Sequence, residues 1–244
     1  MMKIAFGAFA VSTALALSAA ASAADLPTMK PAPAAPMAGL YDWSGFYVGG
    51  YAGGSFGTTS FSDLSFRSFH GTGDLSPSSF TGGLFNGYNM QFNSFVAGAE
   101  IEFGYDGRHG SGSYVSLAAV NPTRDDSVAG SYIGRLRGRA GYAFDNFLIY
   151  AAGGLSLGDL QAKFTNPNNG YNQSIAQTLT GYNVGGGVEY AFSRNWIARV
   201  EYVYDGFSPT TYKFNITPPS GSLFDTQKIT LNENTVRAGV EYKF

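Results

Sequence analysis

Residues 181–192 read Gly-Tyr-Asn-Val-Gly-Gly-Gly-Val-Glu-Tyr-Ala-Phe. Every second position gives Tyr182, Val184, Gly186, Val188, Tyr190 and Phe192; between them lie Gly181, Asn183, Gly185, Gly187, Glu189 and Ala191. One set is apolar and aromatic, the other small or polar. A period of two belongs to a β-strand, whose successive side chains leave opposite faces; a helix would scatter both sets around its axis. The C-terminus repeats the pattern, with Val236, Ala238, Val240, Tyr242 and Phe244 on one face and Arg237, Gly239, Glu241 and Lys243 on the other.

Extended along the chain, the same alternation predicts strands at about 43–57, 79–92, 95–108, 129–144, 146–161, 179–192, 195–208 and 230–244. Three connections are tight, at Asn93-Ser94, Asp145-Asn146 and Ser193-Arg194, where Asn, Asp and Ser side chains cap a local turn. The other four, 58–78, 109–128, 162–178 and 209–229, are long and polar and are expected to be loops. Short and long links taking turns is the plan of an outer-membrane up-and-down barrel, with short periplasmic turns and long extracellular loops; a soluble sandwich has no need of it. From Tyr182 to Phe192, at about 3.4 Å per residue and a tilt near 40°, the chain rises roughly 26 Å, about the height of the apolar band of such barrels. The expected fold class is all-β, an eight-stranded antiparallel up-and-down transmembrane β-barrel.

Aromatic residues end the apolar rows: Tyr142, Phe144, Tyr190, Phe192, Trp196, Tyr242 and Phe244 toward the short turns, and Tyr105, Tyr132, Tyr182 and Tyr204 toward the long links. Such rings favour the membrane–water interface. The opposite face carries the charges: Glu100, Glu102, Arg135, Arg137, Arg139, Glu189, Arg199, Glu201, Arg237 and Glu241. An arginine facing lipid at mid-depth costs about 2–4 kcal/mol, so a set this large turned outward would exceed a folding free energy of roughly 5–15 kcal/mol. These residues are therefore expected inside, as a lumen ion-pair cluster. Ionisable groups at membrane depth also suggest a proton or ion path. Against that, an eight-stranded barrel is just wide enough for side chains to fill, and acids and arginines are here equal in number, which favours mutual neutralisation.

The composition is consistent with this. Of 244 residues, 13% are charged and 16% aromatic, with 33 glycines and no cysteine. Charge this low excludes a disordered chain, a formal net charge of −2 argues against a nucleic-acid partner, and disulfides and thiolate metal sites are excluded outright. Recurrent glycine pairs such as Gly153-Gly154 open no phosphate loop; they suit strongly coiled strands and leave room for large interior side chains. At the N-terminus, Lys3, an apolar run from Ile4 to Leu17 and Ala21-Ser22-Ala23 form a secretory signal peptide expected to occupy residues 1–23. Pro27, Pro31, Pro33 and Pro36 mark residues 24–42 as an extended tether before a barrel domain at 43–244.

Catalytic constellations are weak. His70 and His109 fall in predicted loops among serines, with no carboxylate placed to orient either one, as a hydrolase would need. Asp63, Asp125 and Asp126 read as solvated loop carboxylates, no clustered oxygen set suggests calcium, and the histidine spacing does not specify haem. No enzyme activity, cofactor or metal is expected. The first strand's end and the long link after it hold Phe56, Phe61, Phe66 and Phe69, and the last link holds Tyr212, Phe214 and Ile216. These rings could contact an extracellular ligand or pack on one another above the membrane.

Trp43-Ser44-Gly45-Phe46-Tyr47-Val48-Gly49-Gly50 resembles the first-strand motif of the small outer-membrane immunogenic proteins, OmpA-like and opacity-type barrels often labelled porin-family proteins. Ala24-Asp25-Leu26-Pro27, Gly87-Tyr88-Asn89, Tyr150-Ala151-Ala152-Gly153-Gly154 and the ending from Asn234 to Phe244 fit the same group. The resemblance covers nearly the whole chain after the leader. It implies a surface-exposed, usually structural barrel in the cell outer membrane, in contact with outer-membrane lipid and lipopolysaccharide. It also implies a terminal assembly signal, matched here by Val240, Tyr242 and Phe244, read by the barrel-assembly machinery during insertion. No C-terminal peptidoglycan-binding domain is expected. Family members are linked to haem binding, adhesion or immune recognition, but no motif here carries those roles residue by residue. A narrow porin for small solutes and a surface adhesin or ligand-binding protein acting through its loops stand as alternatives.

Overall fold

The computed structural model describes residues 41–63, 72–115, 123–166, 171–216 and 223–244. The expected leader, nearly all of the proline-rich tether, Phe66, Phe69 and His70 lie outside the described residues. The strand segments are β1 (Gly45–Asp63), β2 (Thr72–Leu75), β3 (Ser78–Phe92), β4 (Phe95–Asp106), β5 (His109–Val115), β6 (Thr123–Ala129), β7 (Tyr132–Phe144), β8 (Phe147–Asn166), β9 (Tyr171–Ala191), β10 (Trp196–Phe207), β11 (Thr210–Ile216) and β12 (Leu223–Lys243).

The long segments pair in the cycle β1–β3–β4–β7–β8–β9–β10–β12 and back to β1, antiparallel throughout. This is a closed eight-stranded barrel. Closure matters physically because a sheet edge in hydrocarbon would leave unpaired backbone groups that water cannot reach. The tight turns fall at Asn93 and Asp145, whose φ angles are 55° and 48°, and at Phe192–Asn195. Asn and Asp tolerate the left-handed conformation that a short hairpin demands.

Four staves of the barrel are interrupted, at Ser76-Pro77, Gly107-Arg108, Gly130-Ser131 and Ser208-Pro209. Proline has no N–H to give to a ladder, yet the neighbouring backbone stays bonded: Gly57 N–H donates to the Pro77 carbonyl at 3.0 Å and Ser208 N–H to the Thr180 carbonyl at 2.9 Å. Beyond the breaks β2, β5, β6 and β11 continue the staves upward.

This corrects the expectation for the four long links, much of which is strand. β9 alone has 21 residues, which at about 3.4 Å each and a tilt near 40° stands roughly 50 Å tall, about twice the apolar band. The sequence hides these extensions because their outward rows, such as Ser174 and Thr178 or Thr226 and Lys228, are polar. Above the membrane that face meets water, and the apolar-out signal used to find strands stops there. His109 lies on β5, and Asp125 and Asp126 lie on β6, not in loops. Phe56 points outward and is 53% exposed, whereas Phe61 is buried inside the upper barrel at 6%.

Within the membrane band, Val184, Val188, Val200, Leu136, Ile101 and Val240 are exposed on the barrel's outside. Two aromatic girdles bracket them. The lower one includes Phe95 against Tyr142, Phe147 against Tyr190 and Trp196 against Tyr242, with ring centroids 5.5, 4.7 and 5.2 Å apart. The upper one includes Phe103 against Tyr132 at 6.5 Å and Tyr182 against Tyr204 at 6.2 Å. Tyr202 and Tyr204 also donate to Asn234 and Asn232 at 2.6 and 3.2 Å, so the rings end where polar partners begin.

Candidate functional site

The interior rows of β4, β7, β9, β10 and β12 converge on a buried charge network. Arg199 is its hub. One terminal nitrogen lies 2.7 Å from Glu100, and the other lies 2.8 Å from Glu189 and 2.7 Å from Glu241. Arg139 reaches Glu189 at 2.6 Å, and Arg137 reaches Glu201 at 2.6 Å and donates through Nε to Asn183 at 3.1 Å. Arg237 bridges Glu102 at 2.5 Å and Glu201 at 2.6 Å. Arg135 pairs with Glu102 and forks onto Asp205 at 3.0 and 2.6 Å. All five arginines are at most 5% exposed. Arg135 and Arg237 each place two nitrogens on one carboxylate, which satisfies donors that burial would otherwise strand.

Aromatic rings line the same space. The Arg199 guanidinium sits 4.1 Å from the Phe85 ring centre, that of Arg139 4.1 Å from Tyr150, and that of Arg237 4.3 Å from Tyr51. Desolvated contacts of this kind contribute of order 2 kcal/mol each. Tyr47 donates to Glu100 at 3.0 Å and accepts from Arg139 at 3.1 Å. Glycines make room for these groups. A Cβ on Gly87 would strike the Tyr47 hydroxyl, one on Gly104 the Tyr51 hydroxyl, and one on Gly185 would come within 3.2 Å of Arg137 Nη2.

Two apolar layers bracket the network. Below it Trp43, Val96, Ala143, Leu148, Ala191 and Ile197 pack together, with Tyr41 against them. Above it Phe61, Leu75, Val128, Ile133, Leu160, Leu179, Phe207, Ile229 and Leu231 form a second cluster. Between network and upper layer, Arg108 lies 2.5 Å from Asp106 and 3.3 Å from Glu233, and Ser79 donates to Asp106 at 3.0 Å.

Trp43 does not begin a strand, as the sequence suggested; β1 starts at Gly45. The preceding residues instead fold across the short-turn end. Trp43 N–H donates to Gln91 at 2.7 Å, Tyr41 Oη donates to the Arg194 carbonyl at 2.8 Å, and Lys243 reaches the Asp42 carbonyl and stands 4.9 Å from the Tyr41 ring centre. Partial burial, followed by the nearby carboxylates Glu241 and Asp42, pushes the Tyr41 phenol up to about 12. The Ser44 N–H, 2.9 Å away, holds the Asp42 carboxyl below its ordinary value.

The outer membrane protein beta-barrel domain model matches residues 8–244. The chain belongs to this family. Among relatives, it is 32% identical to a 31 kDa outer-membrane immunogenic protein of Brucella melitensis, over 96% of this chain and 97% of that one. It is 31% identical to a 22 kDa outer membrane protein of Rhizobium leguminosarum, over 86% of this chain and 82% of that one. The Pseudomonas aeruginosa outer membrane protein OprG superposes with a TM-score of 0.50 at 13% identity, covering 84% of this chain and 98% of that one. The Escherichia coli outer membrane protease OmpT gives 0.54 at 9%, covering 82% and 97%. At such identities the likeness shows the barrel fold alone. As a member of the family the protein is an integral β-barrel of the cell outer membrane.

Within this family member, the ten charged residues singled out in the sequence all project inward and touch one another. Among the described residues, Asp205, Asp106, Arg108 and Glu233 join the interior charges without having been singled out. Their signal was parity: Asp106 is four residues from Glu102, Asp205 four from Glu201, and Glu233 four from Arg237, so each shares its neighbour's face. Asp159, also buried, serves the wall instead. Its carboxylate accepts the Ser131 and Tyr132 N–H groups at 2.6 and 2.9 Å, where β6 gives way to β7. At the C-terminus, Val240 and Phe244 point outward and are 45% and 74% exposed, with the Tyr242 ring 5.2 Å from that of Phe244.

Proposed function

We propose that this barrel is a structural, surface-exposed outer-membrane protein whose lumen is an ion-paired plug and not a conduit. The decisive observation is the layering: a charge network with its arginines paired to carboxylates, closed by Trp43, Leu148 and Ile197 below and by Phe61, Leu160 and Leu231 above. An ion entering would have to cross apolar layers and then displace paired charges, each step costing several kcal/mol. Planar-bilayer recording on the refolded chain tests this. A silent membrane is expected, and steady single-channel openings would replace the plug with a narrow porin for small solutes.

The remaining roles follow from the family setting. The chain carries an export signal cut after about Ala23, then a proline-rich tether to about residue 42, then the barrel. Val240, Tyr242 and Phe244 form the signal read by the barrel-assembly machinery, for which an exposed terminal ring such as Phe244 is suited. Outer-membrane lipid, with lipopolysaccharide around the outer end, is the constant partner, and no catalytic role is assigned to the barrel. The strand extensions above the membrane present the surface on which an adhesin or haem-binding role would have to be built. Truncating them and measuring attachment tests that second role.

A further inference from the structure

Outside the barrel, beyond the upper girdle, β5, β6, β8 and β9 form a concave patch of about 410 Å³. Its outward side chains are His109, Ser127, Gln161, Lys163, Ser174 and the methyl groups of Ala129 and Ala176. Ser127 and Ala129 on one side and Ser174 and Ala176 on the other are small, so Gln161 and Lys163 stand as a ridge between two shallow floors. His109 rises across the first floor, paired with Ala129. Lys163 and His109 are exposed and make no ion pair among the described residues. The nearby carboxylate of Asp159 is buried and occupied by the Ser131, Tyr132 and Gln161 donors, and Asp125 stands farther up the same face of β6, beyond Ser127.

Height fixes what this patch meets. Tyr132 of the girdle reaches Thr178 at 3.2 Å, and Thr178 pairs with Asp159. Lys163 follows Asp159 by four residues on β8, roughly 10 Å up the barrel. The polar headgroup zone extends about 5–8 Å beyond the hydrocarbon, and a lysine stem can bend its ammonium down into it. We propose that the floor on the β5–β6 side of this ridge seats a phosphate of an outer-leaflet glycolipid headgroup, with Lys163 supplying the charge, His109 and Gln161 supplying N–H donors, and Ser127 supplying a hydroxyl. This rests on the reading above that lipopolysaccharide surrounds the outer end, and it gives that lipid a defined seat on one side of the barrel.

The full chain, folded into phosphatidylcholine nanodiscs doped with bisphosphorylated lipopolysaccharide, is compared with Lys163→Gln, the double variant Lys163→Gln/His109→Gln and, as a charge-matched control on β12, Lys228→Gln. Bound lipid is read by native mass spectrometry, and each variant's fold is checked by its heat-dependent gel mobility. Lys163→Gln is expected to weaken retention of the phosphorylated lipid about fivefold and the double variant further, with Lys228→Gln and enzymatically dephosphorylated lipid as references. Equal loss in Lys228→Gln, unchanged retention in Lys163→Gln, or equal binding of the dephosphorylated lipid would each overturn the seat while leaving the lipid partner intact. If the unaltered chain retains the phosphorylated lipid no better than phosphatidylcholine, the partner reading itself fails. Should Lys163→Gln not show the folded mobility, Lys163→Met takes its place with the same criteria.

Discussion

Arg199 and Glu100 stand 99 positions apart in the chain and 2.7 Å apart in the lumen. β10 and β4, which carry them, are not neighbours in the barrel wall, so the contact crosses the interior. Arg199 also holds Glu189 and Glu241, so it ties four staves together, β4, β9, β10 and β12. Replacing it with methionine leaves three buried carboxylates short of a partner, and breaking a buried pair from one side costs about 3–5 kcal/mol. Arg199→Met is expected to lower the urea midpoint of the folded barrel by a corresponding amount. Arg199→Lys should recover only part of it, because an ammonium cannot reproduce the planar fork or lie over the Phe85 ring. Full recovery by lysine would reduce the hub to a bare charge.

Much of this interior was legible before any coordinates. Glu100 and Glu102, the row Arg135-Arg137-Arg139, and Arg237 with Glu241 all follow from parity plus the cost of a lipid-facing charge. Who pairs with whom was not. Arg135 finds Asp205, 70 positions away, because closure and stagger of the barrel set which rows meet across the lumen, and neither is written in a local pattern. The upper ribbons were missed because their outward faces are polar. Trp43 was misplaced because an aromatic one step before a strand reads as the strand's first residue.

Interior glycines separate from outward ones on steric grounds. A Cβ at Gly87 would meet the Ala99 carbonyl at 2.5 Å as well as the Tyr47 hydroxyl, whereas at Gly54 the nearest atom is the Ser79 carbonyl at 3.8 Å. Gly87→Ala is expected to cost about 1–3 kcal/mol through displacement of Tyr47 from Glu100, and Gly54→Ala to stay within about 0.5 kcal/mol of the parent. Equilibrium unfolding in lipid vesicles measures both, and equal effects would mean that the interior has slack.

Val200 and Glu201 are adjacent in sequence and opposite in surroundings, one 61% exposed to the bilayer and the other 2% exposed in the lumen. Val200→Arg places a charge near mid-membrane, between the Trp196 and Tyr204 girdles, and should cost about 2–4 kcal/mol. A spin label at Val200, Val184 or Val240 should be relaxed by oxygen dissolved in acyl chains and shielded from water-borne reagents. The reverse accessibility would turn the barrel inside out.

Tyr41 gives the short-turn closure an alkaline limit. Its phenol is held up to about 12 in the folded protein against an ordinary value of 10.0, so its contribution is complete below that ordinary value and fades as pH rises toward the folded one. The donated bond to the Arg194 carbonyl needs the proton that is lost. Carbon-labelled tyrosine NMR should show a late-titrating resonance that is absent in Tyr41→Phe, with the 41–44 segment loosening over the same interval. A Tyr41 that titrates at the ordinary phenol value of 10.0 would show that the segment does not close the end.

The two tryptophans report on opposite sides of the wall. Trp43 is 1% exposed beneath the charge network, while Trp196 is 46% exposed in the lower girdle, its ring 5.2 Å from that of Tyr242. In the Trp196→Phe protein, the remaining Trp43 emission should resist both aqueous iodide and brominated lipid chains. In the Trp43→Phe protein, Trp196 should be quenched by lipids brominated near the headgroup. Trp43→Ala goes further: removing the ring from the layer formed with Val96, Leu148 and Ile197 should cost about 3–5 kcal/mol and admit water to the network from below. If iodide reaches Trp43 in the folded protein, that end of the lumen is already open and the apolar lower layer does not exclude ions.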